Sequence, residues 1–145
     1  MRPILLATLV IATLGQVHAQ ALLQTPSVQS PERRDVLDAA RTKVQSQLGK
    51  PVRFKVEQLR LADSWAYLHA TMQDAQGQAV SYTGTRYEEA DRHGLKSAKY
   101  DALLRRVHGR WTVKVDSIGA TDVPWTSWSR DHGAPSTLFG DNSSP

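Results

Sequence analysis

In a chain without cysteine, chemistry has to come from histidines, carboxylates and hydroxyls. The 145 residues contain no Cys, which excludes a disulfide framework, a thiolate metal site and a cysteine nucleophile. Beyond the first twenty residues the histidines are His69, His93, His108 and His132. No two of them lie within four residues of each other, so the chain has no local pair of metal ligands. His108 precedes Gly109 as a hairpin-turn residue, and His69 falls mid-strand beside Tyr67. Asp131 and His132 are adjacent, and adjacent side chains point apart, which argues against a catalytic dyad. Glu88, Glu89 and Asp91 cluster between Arg86 and Arg92. Paired carboxylates do acid–base work only where burial separates their pKa values, and this stretch is polar throughout. A glycine-rich phosphate loop, a Gly-x-Ser-x-Gly elbow and a His-Glu-x-x-His pair are all missing. The pattern points away from an enzyme, and no catalytic residue, metal ligand or cofactor is assigned.

The residues that suggest recognition are aromatic and basic. Trp125 and Trp128 stand three apart beyond the last strand pattern, with Phe139 further on. Such indoles either fold back to cap a sheet or serve as interface anchors, where Trp, Tyr and Arg concentrate binding energy. Trp65 and Tyr67 on one strand face extend the second possibility. Arg105, Arg106 and Arg110 flank the turn at His108-Gly109, and arginine supplies twelve of the 18 basic residues. Its planar fork suits bidentate contacts with carboxylates. The candidate binding residues are therefore Trp125, Trp128, Arg105, Arg106, Arg110, Trp65 and Tyr67. The net charge of +4 is interspersed with acids and is too dilute to indicate nucleic acid.

Residues 1–19 read as a signal peptide. Arg2 gives a positive start, Pro3 to Leu14 is almost wholly apolar, and Val17-His18-Ala19 is a small-residue end. Cleavage is expected after Ala19 or Ala21. The apolar run is shorter than the roughly 20 residues a membrane span needs. The sequence thus predicts an exported protein, periplasmic or secreted, with no span after signal removal. Export without cysteine fits a bacterial envelope better than a secreted animal domain.

The elements that must position these residues form one domain over 31–129. A disordered leader is expected over 20–30 and an irregular tail over 130–145. Ser30-Pro31-Glu32 is a helix start, with a cap, a Pro at the first position and an acid in the first turn. Leu37, Ala40, Val44 and Leu48 share one face, and Gly49 and Pro51 end the helix. Strands are predicted over 52–61, 65–73, 100–107 and 111–118. In the first, the apolar phase slips between Val56 and Leu59, which predicts a β-bulge near Glu57-Gln58. Ala79 to Tyr87 carries a weaker strand pattern within the irregular stretch 74–97. Pro124 is placed to start a short helical turn.

One amphipathic helix followed by an antiparallel meander is an α+β layout. The order, with a Gly-turn hairpin leading into Trp111-x-Val113-x-Val115, resembles the cystatin-like or NTF2-like α+β superfold over residues 31–118. The chain shows one helix where the NTF2-like pattern has two or three. The resemblance implies an inhibitor, a binding module or a small-molecule protein. The reading is a non-enzymatic envelope protein that binds a periplasmic or secreted protein, in an inhibitor, immunity or accessory role. One alternative is an NTF2-like ligand carrier or enzyme with a pocket between helix and sheet, into which Tyr67, His69 and Asp116 would converge. Another is a peptidoglycan or polysaccharide binder that uses Trp stacking.

Overall fold

A computed structural model describes residues 22–140. The expected signal peptide and the last five residues lie outside the described residues. The protein is α+β, with α1 (Pro31–Leu48) packed against a four-stranded antiparallel sheet. The strands are β1 (Arg53–Ala62), β2 (Trp65–Gln73), β3 (Lys99–Val107) and β4 (Arg110–Ile118), paired in chain order. The layout fits the resemblance drawn from the sequence. Among the described residues no helix is long and apolar enough to cross a membrane.

The start of α1 is built as its sequence dictates. Ser30 Oγ accepts the Arg33 amide at 3.2 Å, and Pro31 occupies the first turn. At the other end Gly49 adopts φ 68°, the left-handed conformation of a helix C-cap, and donates to Gln45 O at 2.8 Å. The buried stripe is Val36, Ala40, Val44 and Leu48. This corrects the expected face at one position: Val36 is sealed and Leu37 is half-buried on the flank. The stripe follows a spacing of four throughout, so the ridge that seats is the i, i+4 row.

The bulge in β1 falls where the phase slip placed it, between Val56 and Gln58. On either side of it Phe54, Val56, Leu59 and Leu61 all contribute to the core under α1. The β3–β4 hairpin turns on His108 (φ 50°) and Gly109 (φ 77°), both left-handed, as a two-residue primed turn requires. A second bulge separates Val113 from Val115 and leaves Lys114 unmatched on β4.

Three segments depart from expectation. Residues 79–87 form no strand: Ala79 makes an isolated bridge to Gln73, and the chain then enters the short helix α2 (Glu88–Arg92). This stretch is held by hydrogen bonds rather than by a ladder. Lys50 Nζ donates to the carbonyls of Ser81 (2.8 Å) and Thr83 (2.9 Å), and Tyr82 OH donates to Ser97 O at 2.6 Å. The leader is not free over its described part, because Gln24 and Leu61 exchange two backbone hydrogen bonds of 2.8 Å on the outer edge of β1. The expected irregular tail is instead a cap up to Gly140. A 3-10 turn at Pro124–Ser127, where the sequence placed it, leads into α3 (Trp128–His132) and a further 3-10 turn at Ser136–Phe139. These pieces cover the sheet face opposite α1. Leu138 is fully buried there, and Arg60 donates to its carbonyl at 3.3 Å. Two cores result, one under α1 and one under the cap.

Candidate binding surface

The cap decides the fate of the aromatic candidates. Trp65, Tyr67 and Trp128 are buried with Ala62, Leu103, Ala134 and Leu138. Trp125 is half-buried, its ring centroid 5.7 Å from Tyr67 and 5.6 Å from His69. Phe139 packs edge-on to Tyr67 at 5.0 Å. The indoles of Trp65 and Trp128 therefore contribute to the fold, and they offer a partner little surface.

The arginines stay outside. Every residue from Arg105 to Arg110 is exposed. Arg105 lies over the Trp65 ring, its guanidinium carbon 5.0 Å from the centroid, on the cap face of the sheet. Arg106 lies over Trp111 at 5.6 Å on the helix face. Strand alternation sends the neighbouring arginines to opposite faces, and each finds an indole. Val107 stands between them and the turn with 45% of its surface exposed. No acid occurs between Asp101 and Asp116. Among the described residues, the ion pair at this end joins Arg106 to Glu32 at 3.1 Å, an exposed pair that solvent screens. Among the predicted residues, the structure thus joins Trp65 to Arg105 and leaves Arg110 at the tip. Trp65 shares the second core with Tyr67, Trp128 and Trp125, whereas Arg105 and Arg110 stay exposed.

Sequence reasoning missed a polar network under the rim of the cap. Asp101, with 1% of its surface exposed, pairs through Oδ1 with His69 Nδ1 at 2.6 Å and accepts the Tyr67 hydroxyl at 3.0 Å. His69 Nε2 lies 3.2 Å from Glu57 Oε2. The other Glu57 oxygen accepts from Lys99 Nζ at 2.7 Å and Thr71 Oγ1 at 2.5 Å. Glu57 is the bulge residue of β1, and the bulge turns it toward this face. Burial pushes the Asp101 carboxyl above the usual range, opposed by the hydrogen bonds and charge of His69, by Tyr67 and by Lys99. Hydrogen bonds from Lys99 and then Thr71 pull Glu57 down to about 2. Burial, then the Asp101 charge, keeps the Tyr67 proton in place, so its hydroxyl acts as a donor.

His69 spends both ring nitrogens on carboxylates. Among the described residues, no group of three or more acidic or histidine side chains is arranged to hold a metal ion. The pocket imagined between helix and sheet requires Tyr67, His69 and Asp116 to converge. Tyr67 and His69 face the cap, whereas Asp116 accepts the Tyr100 hydroxyl at 3.0 Å on the helix side. The signal for Asp101 was available in one respect: it is an acid in the apolar run Tyr100–Leu104, where a charge needs a partner.

Comparison with known protein families, with curated proteins and with solved structures gave no match.

Proposed function

We propose that the protein is a non-catalytic component of the bacterial envelope that binds another protein through the arginine-bearing end of the β3–β4 hairpin. The role is that of an inhibitor, an immunity protein or an accessory subunit, exported by the signal peptide read in residues 1–19. One observation carries this reading: Arg105 and Arg106 are each laid on an indole, with exposed Val107 beside them, in a stretch of chain from Ala102 to Val115 that carries no acid. Stacking restrains a long side chain before any partner arrives, so less rotamer freedom is lost on binding. A basic rim around a small apolar point suits an acidic protein surface, and arginine is enriched among residues that dominate interfaces.

The test is affinity capture from a periplasmic extract, with mass spectrometry, using wild type and the Arg105→Glu/Arg106→Glu variant side by side. A specific partner retained by wild type should weaken by about 2 kcal/mol or more in the variant. Equal retention by both proteins rejects the hairpin as the binding end.

A further inference from the structure

The two outer strands are treated differently. Gln24 pairs with Leu61 at one end of the outer edge of β1. Among the described residues, nothing pairs with the outer edge of β4. The register shows which groups this leaves open. Arg106 directs its amide to Ser64 O on the β2 side, so its opposite number Trp111 faces away from β3, as does Val113 opposite Leu104. The N–H and C=O of Trp111 and Val113 thus point outward from the sheet. Beside them runs a groove of about 570 Å³, walled by Asp38, Ala39, Thr42, Lys43 and Ser46 of α1 and by Trp111, Thr112 and Val113 of β4.

We propose that this groove receives an extended acidic segment of the partner protein, added as a fifth strand antiparallel or parallel to β4. The proposal rests on the hairpin reading above and names what the hairpin's partner inserts. An open edge supplies main-chain hydrogen bonds, and a helix alongside supplies a wall for alternate side chains, which is the physical basis of strand addition. Charge selects the occupant. Arg106, Arg110 and Lys114 lie along the hairpin with no acid among them, Arg106 being paired with Glu32 of α1, and Lys43 stands on the opposite wall. Asp38 on that wall is paired with Arg41 at 2.6 Å. The bulge at Lys114 ends the regular edge, so the added strand pairs along Arg110–Val113.

The probe is a fluorescein-labelled heptapeptide of alternating glutamate and valine, with a lysine–valine peptide as the control. Amide hydrogen exchange is followed by NMR on the whole protein. Saturating acidic peptide is expected to slow exchange at the Trp111 and Val113 amides. Thr42→Trp fills the groove from an exposed helix position and is expected to weaken binding at least tenfold with an unchanged melting temperature. Val113→Pro removes an outward N–H that β3 does not use and is expected to act in the same direction.

Absence of acidic-peptide binding, or equal binding of the lysine peptide, overturns the proposal. So does binding that leaves both amides unprotected and is indifferent to Thr42→Trp. If Arg105→Glu/Arg106→Glu still weakens binding in that last case, the hairpin reading survives and only strand addition falls. If the groove variants weaken binding and the arginine variant does not, strand addition stands and the hairpin reading falls.

Discussion

His69 holds its Nδ1 2.6 Å from the carboxylate of Asp101, which lies beneath the cap and also accepts the Tyr67 hydroxyl. Because burial raises the Asp101 pKa, the folded state binds that proton more tightly than the unfolded chain does. The contribution of Asp101 to stability is thus fully present below the ordinary value of 3.8 and is lost as pH rises through the raised value. Asp101→Asn keeps an acceptor for Tyr67 and removes the charge. Urea melts across pH should show wild type losing stability relative to this variant as pH climbs from 3.8. Parallel curves would show that Asp101 contributes no such slope. Asp101→Ala strands both donors and should cost about 3–5 kcal/mol.

Glu57 works in the opposite sense. Its carboxyl is depressed from 4.5 to about 2, so its contribution is present above 4.5 and is lost as pH falls toward about 2. The side chain is 35% exposed, so solvent screens the pairing and the effect should be about 1 kcal/mol or less. Glu57→Gln should remove that part of the acid-side decline and leave the slope near neutrality unchanged, as read from the same pH series of melts.

Trp128→Ala should behave as a core truncation. The indole is 6% exposed and packs on Leu138, Phe139 and their neighbours, so the change should cost about 3–5 kcal/mol. Half-buried Trp125→Ala should cost clearly less. A thermal melt of the two variants that ranked them the other way would reject the packing of the cap.

Gly119→Ala should be among the most damaging small changes. At φ 68° the residue is left-handed, and a Cβ there would collide with the Tyr82 hydroxyl and with the Ser97 carbonyl 2.8 Å away. The 79–97 segment is tied to the sheet through these same groups, since Ser97 donates to Gly119 O at 2.9 Å. A loss of about 2 kcal/mol or more in denaturant melts, with faster proteolysis within 79–97, is expected.

Legibility in the sequence followed the range of the interaction. The bulge at Val56/Gln58 was readable because the apolar phase slips within one strand, and the hairpin was readable from the His108-Gly109 turn. Val36 and Leu37 both lie on the apolar side of α1, and only the way the helix sits on the sheet decides which is sealed. Leu138 and Phe139 lie in a segment of four residues, too short to show a period, so the stretch from 130 onward read as a tail. The His69–Asp101 pair spans 32 positions and exists only through the register of β2 on β3. Arg105 over Trp65 depends on that same register, whereas the exposure of the arginines was evident from the turn they flank.

The Gln24–Leu61 bridge has a consequence for assembly. End-to-end growth of sheets from molecule to molecule needs two accessible flanks, one to accept and one to offer. With Gln24 paired to Leu61, a second copy adding to the β1 flank meets that segment at one end, whereas among the described residues the β4 flank is unpaired. Two copies joined through their β4 flanks would use up the freer edge of each, which biases sheet addition toward a closed pair.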